Sequence, residues 1–156
     1  MAVKKPVVVG SDGRLQQLQA GDSIGSIETG QITLTADATL IAGNVVYSNA
    51  AAHVTKAQAN ASGTTTAIGM ATTAITSGVA GTIQTDGVLT LTTGQWDALA
   101  GTSGGLAFGT TYFLSTGTAG LITSTAPSTV GQYIVIVGVA LSTTDLKLRL
   151  GEPLLL

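Results

Sequence analysis

Between Ala57 and Thr144 the chain carries only two charged side chains, Asp86 and Asp97. The longest apolar run in that stretch, Tyr133 to Leu141, is far short of the roughly 20 residues a spanning helix needs. A chain this poor in charge stays in solution in one of two ways: Thr and Ser hydroxyls coat its surface, or other protein covers it. Thr and Val suit the pleated, half-buried surface of a sheet, and 21 Gly residues supply turns. The expectation is a β-rich subunit of an assembly.

A chain of 156 residues fits one domain, or one domain with an arm. Charged residues make up 9% of it, against about 25% in typical soluble domains. The hydrophobic share is an ordinary 44%, so Thr, Ser, Gly and Gln replace the usual Lys and Glu. Disorder is not expected, because disordered chains pair low hydrophobicity with high net charge. The formal net charge is −2, and apart from Lys56 the basic residues sit near the two ends. With no basic stripe to neutralise phosphates, nucleic-acid binding is not expected. Cysteine is absent, which removes disulfides, thiol nucleophiles and thiolate metal sites. Met1 to Pro6 lacks an apolar stretch of signal-peptide length, so synthesis and assembly in the cytosol are expected, without a membrane.

Residues 1–30 read as an extended N-terminal arm with too little apolar mass for a core of its own. Lys4 to Val9 is an extended segment and Ser11-Asp12-Gly13-Arg14 a turn. Leu15 to Gln19 is too short to establish a helix. Residues 31–156 read as an all-β domain, a small barrel or sandwich of short antiparallel strands. Ile32-Thr33-Leu34-Thr35 alternates with period two. Further strands are expected at Val45 to Tyr47, His53 to Lys56, Ala67 to Ala71, Thr82 to Gln84, Val88 to Thr92, Thr111 to Leu114, Leu121 to Thr123, Tyr133 to Leu141 and Leu146 to Leu150. Asp86-Gly87 suits a hairpin turn. A helical turn is expected over Thr93 to Ala100, with Thr93 as N-cap and Trp96 and Leu99 on one face.

An internal repeat is visible. Leu40-Ile41-Ala42-Gly43-Asn44-Val45-Val46-Tyr47 resembles Leu106-Ala107-Phe108-Gly109-Thr110-Thr111-Tyr112-Phe113. A second strand follows each, and then an apolar-Gly-apolar-Ala motif, Ile68-Gly69-Met70-Ala71 and Val137-Gly138-Val139-Ala140. Physically this is a hairpin and a buried strand, used twice. A Gly inside each buried strand points to a bulge or a close backbone approach. Chance similarity in a low-complexity chain is the competing reading.

Catalytic chemistry has little to draw on. His53 is the only histidine, and a Ser-His-Asp triad would need Ser48 or another serine and a carboxylate beside it. A strand or turn position in the Ala50-Ala51-Ala52-His53 hairpin is the plainer reading. Asp12, Asp22, Asp86 and Asp145 each adjoin Gly, Ser or Thr, where Asp starts turns. Gly101 to Gly109 lacks the lysine and helix of a phosphate loop and reads as a flexible loop. Trp96 reads as a core or interface anchor rather than a sugar platform. No enzyme activity, metal or cofactor is expected.

At the C-terminus, Leu146-Lys147-Leu148-Arg149-Leu150 places leucines on one face and charges on the other. Leu154-Leu155-Leu156 then closes the sequence. Three leucines left in water are an aggregation liability, so they either tuck into the core or dock on a neighbouring subunit.

The segment Ala36-Asp37-Ala38-Thr39-Leu40-Ile41-Ala42-Gly43-Asn44-Val45-Val46-Tyr47, with Val54-Thr55-Lys56-Ala57 and Ile68-Gly69-Met70-Ala71, resembles the capsid decoration (cement) proteins of tailed bacteriophages. Val137-Gly138-Val139-Ala140-Leu141 looks similar. The arm, Pro6 to Leu18, is similar to segments of phage tail-fibre and other virion proteins. The resemblance implies a homotrimer on the outer surface of the capsid, binding the major capsid protein and clamping its neighbouring subunits. Candidate partner-binding residues are Lys4, Lys5, Pro6, Val7, Val8, Val9, Leu154, Leu155 and Leu156. The rival reading is a tail or head fibre or baseplate component anchored by the arm. A reading from another class, a small β hydrolase or carbohydrate-binding module, rests on His53 and Trp96.

Overall fold

The structure, a computed structural model, describes residues 7–9, 15–17 and 30–156. Within them the fold is all-β with a single α-helix. Strands β1 (Val7–Val9) and β2 (Leu15–Gln17) pair antiparallel, Val8 opposite Gln16. Leu15–Gln17, within the segment too short for a helix, is thus a strand. The expected turn at Ser11 to Arg14 lies outside the described residues.

Five strands follow: β3 (Gln31–Ala36), β4 (Val45–Ala50), β5 (His53–Lys56), β6 (Ala67–Ala71) and β7 (Ala80–Gln84). They close a barrel in the order β3-β5-β4-β6-β7. Every pairing in it is antiparallel except the closing one, where β3 runs parallel to β5 with Thr35 opposite His53 and Ala36 opposite Val54. Each strand contributes an apolar residue to one fully buried cluster: Ala36, Val46, Val54, Ala71 and Ile83, joined by Leu40 and Ile75. Strand periodicity sends the intervening Val45 and Met70 to the opposite face, where they enter a second, larger core.

The next elements are β8 (Val88–Thr90), α1 (Thr93–Ala100), β9 (Thr111–Leu114), β10 (Ile122–Thr123), β11 (Tyr133–Ile134), β12 (Ile136–Ala140), β13 (Asp145–Leu148) and β14 (Leu154–Leu155). Five of them form an open sheet, β10-β9-β12-β13-β8. The barrel read from β5 is β5-β4-β6-β7-β3. The two orders are the same once each strand is matched to its counterpart along the chain.

The registers match as well. Val45 faces Met70 and Val46 faces Gly69 in the barrel; Thr111 faces Val139 and Tyr112 faces Gly138 in the sheet. Both ladders then slip by one residue, at Tyr47–Ala67 and at Phe113–Ile136. The loops agree too. Gly43 N donates to Ala71 O at 2.7 Å and Gly109 N to Ala140 O at 2.9 Å. Both glycines have positive φ, 86° and 75°, a region L-residues avoid. The chain therefore holds two β units of one topology, and the paired motifs of the sequence occupy equivalent places in them.

The units differ in closure. No ladder joins β8 to β10; instead α1 follows β8. Thr92, not Thr93, is its N-cap: the Thr92 hydroxyl accepts from Gln95 N while the Gln95 side chain accepts from Thr92 N, a reciprocal capping box. Gly101 at φ 65° ends the helix. Trp96 and Leu99 are buried in the larger core, against Leu89, Tyr112, Leu114, Ile122, Val137 and Leu146. That core also takes Ala42, Val45 and Met70 from the barrel, and backbone bonds outside the ladders, Gly120 N to Ala57 O at 2.7 Å and Ala59 N to Ser115 O at 3.0 Å among them, join the units as well. At the seam, Asn44 donates from Nδ2 to Gly120 O at 3.1 Å and accepts from Ile41 N at 3.0 Å.

Three local expectations change. Asp86-Gly87 is a turn, with Gly87 at φ 89°, but it makes no hairpin: β7 pairs with β3 and β6, and β8 pairs with β13. The same turn chemistry serves a linker between units. The Tyr133 to Leu141 run divides at Val135 into β11 and β12, which pair with different partners. The loop after α1 is anchored, because the Asp97 carboxylate accepts from Thr102 Oγ1 (3.0 Å), Gly104 N (3.1 Å) and Gly105 N (2.8 Å).

Candidate interaction surface

The three terminal leucines join neither buried cluster. They form an edge on the body. β14 pairs antiparallel with β11, Leu155 opposite Tyr133 and Leu154 opposite Ile134. Gly131 N donates to Leu156 O and Leu156 N to Gln132 O, both at 3.0 Å. Pro153 cannot donate and leads the chain into this edge position. The backbone is thus fixed while the side chains face water: Leu154 is 60% exposed, Leu155 57% and Val130, on the adjoining turn, 87%. This is an apolar surface held by a rigid strand. Sequence reasoning identified the leucines but missed Val130, whose only signal is a large apolar residue in a Thr-Val-Gly turn.

Among the other candidates, Val7, Val8 and Val9 are the β1 strand, while Lys4, Lys5 and Pro6 lie outside the described residues.

His53 does meet a carboxylate, though not in a triad. Its Nδ1 lies 2.7 Å from Asp37 Oδ1, and Asn49 Nδ2 donates to Asp37 Oδ2 at 2.6 Å. An ionised carboxylate only accepts, so the contact needs the proton on His53 Nδ1. Ser48 turns its hydroxyl to Ala50 O instead. Asp37 follows β3 and His53 opens β5, so the pair clips the one parallel seam of the barrel. Trp96 is fully buried and donates from Nε1 to Thr144 O at 2.8 Å; its ring is unavailable as a sugar platform. Among the described residues no three His, Asp or Glu side chains are grouped to hold a metal ion, and no helix is long and apolar enough to cross a membrane.

Four carboxylates, exposed at Asp37 and Asp86 and half-buried at Asp97 and Asp145, are held below the usual value of 3.8 by donors. Asp37 is held down by the His53 and then the Asn49 hydrogen bond, and Asp86 by Gly87 N–H and then Lys147. Gly105 N–H leads at Asp97 and the Thr90 hydroxyl at Asp145. A carboxylate with a depressed folded pKa stabilises the fold above its unfolded pKa and loses that contribution as pH falls through the folded value. Melting temperature is therefore expected to hold above about pH 5 and to fall below about pH 4. Thermal melts across pH check this, and Asp97→Asn should make the acid slope shallower. An equal slope in that variant would remove Asp97 from the account.

No protein-family model matches the chain, and no curated protein matches it in sequence.

Proposed function

We propose that this protein is a virion structural subunit, a capsid decoration (cement) protein that binds the outside of a tailed-phage head. The observation that carries the reading is the rigid C-terminal edge with Leu154, Leu155 and Val130 in water. Such a surface on a charge-poor body suits docking to a larger protein array. The partner is the major capsid protein, and the resemblance to cement proteins adds a homotrimer. The mechanism is energetic. A subunit that binds only the assembled shell stabilises that shell by mass action, and contact across capsomer boundaries resists the outward push of the packed genome.

The test is co-sedimentation with undecorated phage shells. Wild-type protein should pellet with shells and raise their melting temperature. The double substitution Leu154→Asp/Leu155→Asp should weaken binding by more than about tenfold, while the free subunit melts nearly unchanged because both side chains are already exposed. Failure to bind any shell, or equal binding by the variant, counts against the reading. The fibre or baseplate alternative draws on the β1–β2 hairpin preceding the body. It predicts a few copies per particle away from the head surface, where decoration predicts hundreds on it.

A further inference from the structure

The two units treat one pair of strand positions differently. Val45 and Met70 face each other on the outside of the barrel, and both are fully buried in the shared core. Their counterparts in the open sheet, Thr111 and Val139, also face each other but are only half-buried. They open onto a pocket of about 300 Å³ lined by Thr111, Ile136, Val139 and Arg149. Ile136 is 39% exposed there. The pocket adjoins the C-terminal edge. β11, which holds β14, leads through Val135 into Ile136. Gly151 N then donates to Ile136 O at 3.0 Å, just before the chain enters β14.

Arg149 is the one charge in this pocket. Only two other basic side chains, Lys56 and Lys147, fall within residues 30–156. Lys147 reaches Asp86 Oδ1 at 3.4 Å. Arg149 is exposed and makes no ion pair among the described residues, and Glu152, three residues on, does not reach it. The carboxylates of Asp97 and Asp145 are taken up by Thr, Ser and Gly donors. The cation is therefore left for a group from outside. A guanidinium is weakly hydrated and presents a planar fork that fits a carboxylate through two bonds. An unpaired fork in the wall of an apolar pocket suits an extended peptide in which a carboxylate stands beside an apolar side chain.

We infer that this pocket is the orienting half of the docking surface, and that the partner fills it with an acidic segment. An Asp or Glu of that segment pairs with Arg149, and a neighbouring apolar side chain enters between Ile136 and Val139. The inference rests on the capsid reading, so the segment belongs to the same shell protein that meets Leu154 and Leu155. The two halves do different work. Burial of the leucines is non-directional and sets no angle between subunit and shell. A two-bond pair to Arg149 fixes that angle and rejects a partner that offers a cation there.

The experiment is co-sedimentation of the full chain with undecorated phage shells across a salt series. Wild-type binding should weaken by about tenfold between roughly 50 and 500 mM NaCl. Arg149→Gln should bind about tenfold or more weakly at low salt and lose most of that salt dependence. Arg149→Lys keeps the charge but not the fork, so it should recover the salt dependence and only part of the affinity. All three should melt alike, since Arg149 is exposed and unpaired among the described residues. Wild-type protein that pellets with no shell overturns the capsid reading and this inference with it. Wild-type binding that Arg149→Gln matches at every salt concentration overturns this inference alone. An Arg149→Gln protein that melts several degrees low gives the pocket to the chain's own acidic stretch, Asp22 to Glu28. Loss of a self-associated species in that variant gives it to a second copy. Either result overturns the assignment to the shell.

Discussion

Gly138→Val is expected to cost the domain at least about 3 kcal/mol and to lower its melting temperature by roughly 10 °C. A Cβ at Gly138 would sit 2.4 Å from Lys147 O, and at the equivalent Gly69 2.5 Å from both Gln84 O and Ile83 Cγ2. Those oxygens belong to neighbouring strands, so relief requires moving a ladder rather than turning a side chain. Both glycines sit beside the one-residue slip in their strand pairing, where the bulge draws two backbones together. In the open sheet β13 lies between β12 and β8, and can yield only by moving with β8, the free edge. In the closed barrel every strand is held on both sides, so Gly69→Val should do at least as much harm. Gly94→Ala is the control: its Cβ meets nothing within 4 Å, and in a helix Ala is favoured over Gly by up to about 1 kcal/mol. Thermal melts of the three variants decide the matter. A Gly138→Val protein melting within a degree or two of wild type would mean that β12 and β13 are spaced differently.

Trp96→Ala should cost about 3–5 kcal/mol, the range for emptying a large aromatic site. Trp96 lies fully buried where α1 replaces the strand seam of the first unit. No ladder closes the sheet at that point, so few backbone bonds resist collapse of the void. Trp96→Phe separates packing from polarity. It keeps much of the apolar contact but removes the indole donor to Thr144 O, which still accepts from Leu91 N at 3.0 Å, so the polar loss is about 0.5–1.5 kcal/mol. Trp96 is also the only tryptophan, so its fluorescence reads the site directly. Native emission should be blue-shifted and should shift to the red in step with loss of the β signal in circular dichroism. Emission typical of an exposed indole in the folded protein would contradict this packing.

Much of the strand pattern was legible because local rules act locally. Alternation marked β3 and β13, with Leu146 and Leu148 inward and Lys147 and Arg149 outward. The Gly inside β6 and β12 announced close approaches. What stayed hidden depends on partners distant in sequence. His53 gains Asp37 through the parallel β3–β5 pairing, and nothing near His53 encodes that. Asp86-Gly87 has hairpin chemistry and links two units instead, since a turn does not state which strands it joins. The Asp97 anchor was missed because a Gly-rich loop looks the same loose or tied. The apolar edge at Leu154 and Leu155 was visible as composition, but its attachment to β11 was not.

Closure of the barrel has a consequence for synthesis. All its ladders join residues between 31 and 84, so its backbone bonding can complete before the ribosome has delivered the second unit. Val45 and Met70, which end in the shared core, must then wait bare on the nascent barrel until Trp96, Tyr112 and Val137 arrive. The interval between those two events is when this chain is most open to mispairing with a neighbour on the same messenger.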